Sequence, residues 1–312
     1  MNRQLGLALA AGLLSALMFL SLAKGIALGA VLSYAAPLPL MMAGLALGMM
    51  ASVAAGLVAM VAVAAVAGGF SAVPFAVAAV LPALVVTNRA LLRRNADDGL
   101  VHWYPPGFVL AWLTAAGLAL MLCGTALMAG SPDGIEGGVT KLLADALNLM
   151  AAELPADQRA KVVGWWAPLF PAMVIGSWLI MAVVNACGAQ GLLARLGHAR
   201  RPSPAYRQLW LPDWPAYGLV AMALLAILVG GDASYVAANA VAVLLIPFVF
   251  LGLAGIHRWV KGRPSAGLLL ATAYGLLILA FGWAAVAVAG LGLVRFWTMR
   301  VRRPDRRGGM EG

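Results

Sequence analysis

The sequence is poor in charged residues. Asp, Glu, Lys and Arg make up 10% of the 312 residues, against about 25% in an ordinary soluble protein. No charged residue occurs between Lys24 and Arg89. As a helix this stretch would extend about 95 Å, roughly three times the 30 Å of a bilayer's hydrocarbon core. The composition excludes an ordinary soluble domain and predicts that this stretch crosses a membrane several times.

Recognisable catalytic motifs are also missing. The chain contains no HExxH, GxSxG or GxxxxGK pattern, and its apolar runs contain no acidic residue. Metal and acid–base catalysis need such ionisable groups, and proton coupling usually does. We therefore expect no catalytic residue, no metal site and no cofactor, and predict that the protein is not an enzyme. A lipid-directed enzyme remains as an alternative only if loop acids such as Asp97, Asp98 or Asp232 act in it.

Cysteine and histidine are scarce. Cys123 and Cys187 lie in separate apolar runs without CxxC spacing, which is typical of small core residues. His102, His198 and His257 lie in three different boundary loops. We interpret them as residues of the membrane–water interface rather than as ligands of one metal ion.

What the chain has in abundance is long, continuous apolar runs. Hydrophobic residues make up 63% of it, and the mean hydropathy is +0.95. Continuous runs favour helices over the alternating strands of a membrane barrel. The sequence predicts an all-α polytopic transmembrane helical bundle of eight to nine spans, forming a single integral membrane domain. Its predicted parts are N-terminal spans in 5–94, an external loop with an amphipathic helix in 131–164, C-terminal spans in 165–298, and a basic cytoplasmic or disordered tail in 299–312.

The span count depends on the last apolar run, residues 265–294. One crossing would put the C-terminus outside, whereas the arginines that follow favour the inside. Two short helices divided near Gly282 would remove the conflict, and the other possibility is that the tail is an exception to the rule.

Prolines and glycines divide the charge-free stretch. Pro37 and Pro39 remove two backbone donors and predict a broken or kinked helix, and Gly68-Gly69 predicts a turn. Just before the break stand Ser33 and Tyr34. We consider Ser33 and Tyr34, together with Pro37 and Pro39, candidates for the wall of a ligand cavity.

Small residues recur every fourth position at Gly44, Gly48, Ser52 and Gly56. Such spacing gives one helix face with almost no side chains, which allows a neighbouring backbone to approach closely. Tight helix packing is one interpretation, and a ligand against bare backbone is the other.

Polar residues inside the other apolar runs are neutral. Asn185, Asn239 and Tyr274 are the ones we single out. Asparagine in a span commonly bonds a neighbouring helix, but it also lines pockets for uncharged ligands. All three are therefore further candidates for the ligand cavity.

The charges lie in loops and predict the orientation. The net charge of +10 comes from short basic clusters between apolar runs, as in cytoplasmic loops, and not from a nucleic-acid-binding domain. The acidic segment 131–164 is predicted to be external. These features predict a multi-pass protein of the bacterial inner membrane, with the lipid bilayer as its solvent and no nucleic acid as partner.

The external segment contains an amphipathic pattern. Apolar residues fall at helical spacing along one face, namely Val139, Leu142, Leu143, Ala146, Leu147 and Met150. Such a helix either lies on the outer leaflet or covers the mouth of the bundle.

Several short motifs are distributed along nearly the whole chain. They are the Pro-Leu-Pro-Leu break at Pro37, the basic exit at Arg89 to Arg94, Leu211-Pro-Asp-Trp214, Gly252-Leu-Ala-Gly255 and a closing Gly-Leu-Gly-Leu before arginines. Together they resemble the YybS-like family of predicted bacterial membrane proteins. Relatives often have an acidic residue where Val294 and Arg295 stand here. The resemblance extends distantly to the substrate-capturing components of energy-coupling-factor transporters and to membrane subunits of the cell-shape machinery, and implies a small helical bundle that holds a ligand or docks partners.

Two functions follow as expectations. One is a transport-related, substrate-binding component for a small, weakly charged ligand near the Pro37/Pro39 break. The other is a non-enzymatic scaffold or assembly factor for envelope proteins, with the Gly44 to Gly56 face and the arginine loops as contact surfaces for membrane-protein partners.

Overall fold

The computed structural model describes residues 2–23, 28–95 and 99–301, and these are almost entirely helical. The α-helices in this part of the chain are α1 (Asn2–Ala23), α2 (Gly29–Tyr34), α3 (Pro37–Leu47), α4 (Met49–Ala67), α5 (Ala72–Phe75), α6 (Leu81–Ala90), α7 (Pro106–Ala126), α8 (Gly134–Met150), α9 (Ala156–Trp166), α10 (Phe170–Arg195), α11 (Trp214–Leu228), α12 (Gly231–Val260), α13 (Ala266–Leu279) and α14 (Phe281–Val301). Two strands, β1 (Arg93–Asn95) and β2 (Val101–Trp103), pair antiparallel with Arg93 opposite Trp103. The sequence did not predict this short hairpin.

Eight helical stretches of the described residues are long and apolar enough to cross a membrane. They are Arg3–Leu22, Gly29–Leu47, Met49–Ala67, Gly69–Ala90, Pro106–Ala126, Ala156–Arg195, Gly231–Val260 and Gly282–Val301. Helices α11 and α13 are apolar but shorter. The predicted all-α, multi-pass helical bundle is confirmed, and so is its span count.

The charge-free stretch forms three of these spans, with turns at two glycines. Gly68 adopts a φ of +88° and Gly48 a φ of +104°, a conformation that only glycine reaches without strain. The turn at Gly48 corrects the sequence analysis, which placed Gly44 to Gly56 on one face of a single helix. Gly44 and Ser52 therefore belong to different helices, α3 and α4.

The last apolar run consists of two helices. Helix α13 ends at Leu279 and α14 begins at Phe281. Of the two alternatives that the sequence left open for this run, the structure has the division near Gly282. The basic tail, residues 299–312, lies mostly beyond the described residues.

The chain divides into two compact units. Unit 1 comprises Met1–Gly117 and Ser177–Pro204, and unit 2 comprises Leu118–Gly176 and Ala205–Gly312. We describe each unit by itself. That the whole chain is one integral membrane domain stays a prediction.

Unit 1 is built around the contact between α1 and α4. A Cβ added at Gly12 would stand 2.4 Å from the carbonyl oxygen of Ala55, so the two backbones approach too closely for any side chain at that position. Leu40, Met41 and Phe75 are completely or almost completely buried and fill the rest of this core.

Unit 2 is built around α12, which packs against α11 and α14. A Cβ at Gly292 would stand 1.9 Å from the carbonyl oxygen of Phe248, and one at Gly252 would stand 2.1 Å from that of Val288. Both of these glycine motifs, which the sequence analysis used for the family resemblance, therefore lie where two helices touch backbone to backbone.

Candidate functional site

The Pro37/Pro39 break lies in unit 1, between α2 and α3. Because neither proline has an N–H, the carbonyls of Ser33 and Ala35 lose their α-helical donors. The Ala36 N–H donates to Ser33 at 3.2 Å and the Leu38 N–H to Ala35 at 3.0 Å. In a regular α-helix the Leu38 N–H would donate to the Tyr34 carbonyl. Here it donates to Ala35, so the Tyr34 carbonyl needs another donor.

Asn185 of α10 supplies that partner. Its Nδ2 donates to the Tyr34 carbonyl at 2.8 Å and to the Met181 carbonyl of its own helix at 2.8 Å. The Tyr34 hydroxyl is hydrogen-bonded to the Ser177 hydroxyl of the same helix. The structure thus brings the two candidates Tyr34 and Asn185 together, one helix bonding the broken backbone of another.

The remaining cavity candidates of unit 1, Ser33, Pro37 and Pro39, lie at the same proline break. Pro37 and Pro39 are buried, and Ser33 is partly buried. The Ser15 hydroxyl of α1 donates to the Ala36 carbonyl at 2.6 Å on the same segment. That these residues line a ligand cavity stays a prediction.

A second proline break occurs in unit 2, where a 3₁₀ turn over Ala167–Leu169 joins α9 to α10. Pro171 has no N–H to donate to the Ala167 carbonyl. The Phe170 N–H donates to that carbonyl instead, and the Tyr235 hydroxyl of α12 adds a hydrogen bond of 2.8 Å.

Asn239 completes the second break. Its Oδ1 accepts from the Ala172 N–H at 3.0 Å, and its Nδ2 donates to the Pro168 carbonyl at 3.0 Å. In a regular helix these two backbone groups would bond each other. The side-chain amide of Asn239, which is completely buried, stands between them and satisfies both.

Tyr274, the last candidate, lies on α13 of unit 2. It is 43% exposed, and its ring meets that of His257 edge to face at 5.9 Å. His257 lies in the last turn of α12 rather than in a loop, and its Nδ1 is 3.0 Å from the Leu253 carbonyl oxygen.

The small-residue positions contact other helices of unit 1. A Cβ at Gly44 would meet the Thr87 hydroxyl of α6, and one at Gly56 would stand 2.8 Å from a methyl of Val80. The hydroxyls of Ser52 and Thr87 are buried and have no hydrogen-bond partner among the described residues. These contacts agree with the tight-packing interpretation of this face.

The amphipathic helix is α8, and only its first half is docked. The Ile135 N–H donates to Asp232 Oδ1 at 2.8 Å, so a carboxylate from the start of α12 binds the positive end of α8. Ile135 and Val139 pack with Tyr235 in a small apolar cluster. Further along, Leu142 is 52% exposed and Met150 87% exposed, so the predicted apolar face is buried only at its beginning.

Arg201 has a structural role that sequence reasoning missed. This arginine belongs to one of the short basic clusters between apolar runs, yet it is only 6% exposed. Its Nη1 donates to the Ala90 carbonyl at 2.9 Å and contacts the Tyr104 carbonyl at 3.4 Å, which ties together the two ends of the segment that contains β1 and β2. The sequence does not distinguish Arg201 from the adjacent Arg200, which is exposed.

Electrostatics differ between the units. The only acidic residues in the sequence of unit 1 are Asp97 and Asp98, which lie outside the described residues, while unit 2 holds the other nine of the eleven. Within the part of the chain that the structure describes, no three His, Cys, Asp or Glu side chains lie together as metal ligands would. The absence of catalytic and cofactor sites stays a prediction.

The family model described as "Predicted membrane protein (DUF2232)" matches residues 12–294. The chain belongs to this family. The resemblance inferred from the short motifs is thereby confirmed as far as a family of predicted membrane proteins, and the match covers both proline breaks and both asparagines. No curated protein and no solved structure matches this DUF2232 member.

Proposed function

We propose that this DUF2232 protein is a non-enzymatic scaffold of the bacterial inner membrane that positions other envelope proteins. The observation that carries the proposal is the use of the buried asparagines. Asn185 and Asn239, the best candidates for holding a neutral ligand, both have their amides bonded to backbone groups at a proline break. Polar groups used in this way hold helices in fixed positions, as a scaffold requires.

The contact surface of such a scaffold would lie outside the bilayer. The Gly44 to Gly56 positions are unsuitable, because Gly44, Gly48 and Gly56 already meet other side chains of unit 1. The hairpin of β1 and β2 remains. Arg94 and His102 are opposite each other in it and exposed, and a short exposed strand pair can add a partner's strand at its edge.

Site-specific photo-crosslinking in living cells tests the scaffold. A crosslinker placed at Arg94 should capture one or a few defined membrane proteins. The control position is Val61 on α4, which is 69% exposed in an apolar span and should face lipid. If the two positions give the same pattern, with no protein captured at Arg94, the scaffold proposal is wrong.

The second candidate is the capture of a small, weakly charged ligand, related to transport. It is favoured by the unpartnered hydroxyls of Ser52 and Thr87 and by Tyr34, which is 49% exposed beside the break. Small molecules extracted from purified protein would test it. A compound that co-purifies with the wild type and is lost from Tyr34→Phe would favour ligand capture over the scaffold.

A further inference from the structure

One cation of unit 1 lies where a lipid phosphate would be its natural counter-ion. Arg89 is the second-last residue of α6, and its guanidinium carbon stands 3.8 Å from the ring centroid of Trp112 on α7. Such a distance corresponds to a planar stack of cation on ring. The stack covers one face of the guanidinium and leaves N–H donors at its edge.

The ring that supports Arg89 is itself held in place. Trp112 Nε1 donates to the Tyr104 hydroxyl at 3.1 Å, and the Tyr104 ring meets Phe108 edge to face at 5.8 Å. Trp112 is nevertheless 44% exposed. The arginine therefore rests on a ring that is both oriented by neighbours and open to the surroundings.

This pair lies near the ends of two candidate spans, Gly69–Ala90 and Pro106–Ala126, and the ends of spans are where a bilayer has its head groups. Trp112 follows Pro106, the first residue of α7, by six residues, which is roughly 9 Å along a helix axis. Helical side chains lean toward the N-terminus, so Arg89 leans away from the loop and toward the apolar part of α6. Head groups occupy about 5–8 Å on each side of the hydrocarbon core.

In the part of the chain that the structure describes, no protein anion accompanies this cation. Among the described residues, the Arg89 guanidinium has no carboxylate and no hydrogen-bond acceptor, and the sequence of unit 1 has no acidic residue apart from Asp97 and Asp98. A cation at the edge of the hydrocarbon is costly unless it is paired. Arginine binds phosphate with two parallel hydrogen bonds, and basic pockets at this depth bind anionic head groups.

We infer that Arg89, stacked on Trp112, binds the phosphate of an anionic phospholipid at this end of α6 and α7. The occupant is a bilayer lipid rather than free phosphate, because the pair lies at the adjoining ends of two candidate membrane spans, where lipid head groups are the abundant phosphates. The lipid joins the ends of two spans next to the hairpin.

Native mass spectrometry of the full chain in neutral detergent tests the site. Phosphatidylglycerol and phosphatidylcholine are added in separate samples. We expect retained phosphatidylglycerol to exceed phosphatidylcholine, and Arg89→Gln to lower that retention about tenfold. Equal retention of the two lipids by the wild type, or unchanged retention by Arg89→Gln, would overturn the assignment.

Matched variants separate this site from charge in general. Arg3→Gln removes another arginine at the end of a candidate span of unit 1, here an exposed one, and should leave retention unchanged. An equal loss of retention in Arg3→Gln would mean that only net charge matters, and would overturn the proposal. Trp112→Leu should weaken retention, whereas Trp165→Leu, at a tryptophan 86% exposed in unit 2, should not.

Inorganic phosphate at millimolar concentration should not displace the lipid, and displacement would show a site for free phosphate instead. Thermal unfolding of each variant verifies that it is folded.

Discussion

Each unit contains a helix broken by prolines, and in each an asparagine from another helix bonds the broken backbone. In unit 2, Asn239 is completely buried and uses both its donor and its acceptor, and Tyr235, only 7% exposed, adds a third hydrogen bond. In unit 1, Asn185 uses its donor on Tyr34, whose own side chain is 49% exposed. In unit 2 one asparagine satisfies two freed backbone groups, whereas in unit 1 Asn185 satisfies a single freed carbonyl.

Side-chain hydrogen bonds of this kind explain how the spans of an apolar chain can contain prolines. Lipid offers no hydrogen bond to a freed carbonyl or N–H, so each must find a partner within the protein. A side-chain amide can replace both members of a lost backbone pair, as Asn239 does. The number of groups that depend on each asparagine then sets how much stability its loss should cost.

The largest effect is expected for Asn239→Leu, which keeps the side-chain size but removes both hydrogen-bonding ends. The Ala172 N–H and the Pro168 carbonyl would lose their partners in an apolar interior. We expect a loss of about 3 kcal/mol in the free energy of unfolding, measured by denaturant titration in detergent. Asn148→Leu, at an exposed position of α8, is the control and should change little; equal losses in the two variants would contradict the bridge.

Gly292→Ala tests the helix contact that holds α12 in unit 2. The added Cβ would stand 1.9 Å from the Phe248 carbonyl oxygen, so the two backbones must separate, at a cost of about 2 kcal/mol. Gly290→Ala is a close control, because a Cβ there meets nothing within 4 Å. Thermal unfolding should separate the two variants, and a Gly292→Ala protein as stable as Gly290→Ala would mean that α12 and α14 do not touch in this way.

Asn185→Leu should have the smaller effect that the comparison requires. Only one hydrogen bond from Asn185 to the broken segment is lost, that to the Tyr34 carbonyl, so we expect a loss of about 1 kcal/mol. The same denaturant titration measures it, with exposed Asn88→Leu as control. A loss equal to or larger than that of Asn239→Leu would reverse the ranking of the two breaks.

The smallest effect is expected for Thr87→Val. The Thr87 hydroxyl is buried without a partner, so an apolar group of the same shape should change stability by less than about 0.5 kcal/mol or raise it slightly. Thr114→Val removes a hydrogen bond of 2.9 Å to the Leu110 carbonyl and should be the less stable of the two in thermal unfolding. A marked destabilisation by Thr87→Val would indicate that this hydroxyl does bind something.

The features that could be predicted from the sequence are those set by hydrophobicity. A run without charge between Lys24 and Arg89 is forced into helices by the bilayer, and Pro37 and Gly68 mark where those helices break or turn. The turn at Gly48 was missed. A single glycine in an apolar run is compatible with a tightly packed helix and also with a turn. Which of the two forms depends on the helices that pack against α3 and α4.

Partnerships between distant residues could not be predicted. Asn239 was recognised as polar in an apolar run, but nothing local indicates that it would stand between Pro168 and Ala172. Arg201 looks like any loop arginine in the sequence, yet it is buried against Ala90. The hairpin was missed for a similar reason, since strands of three residues carry almost no periodic pattern.

The central claim is that α12 supplies the hydrogen bonds that proline removes, and a double-mutant cycle between Tyr235→Phe and Pro171→Ala measures it. Pro171→Ala restores an N–H that can donate to the Ala167 carbonyl, so the Tyr235 hydroxyl should no longer be needed. We predict that Tyr235→Phe lowers the free energy of unfolding by about 1 kcal/mol in the wild type and by almost nothing in Pro171→Ala. The same loss in both backgrounds would contradict the account.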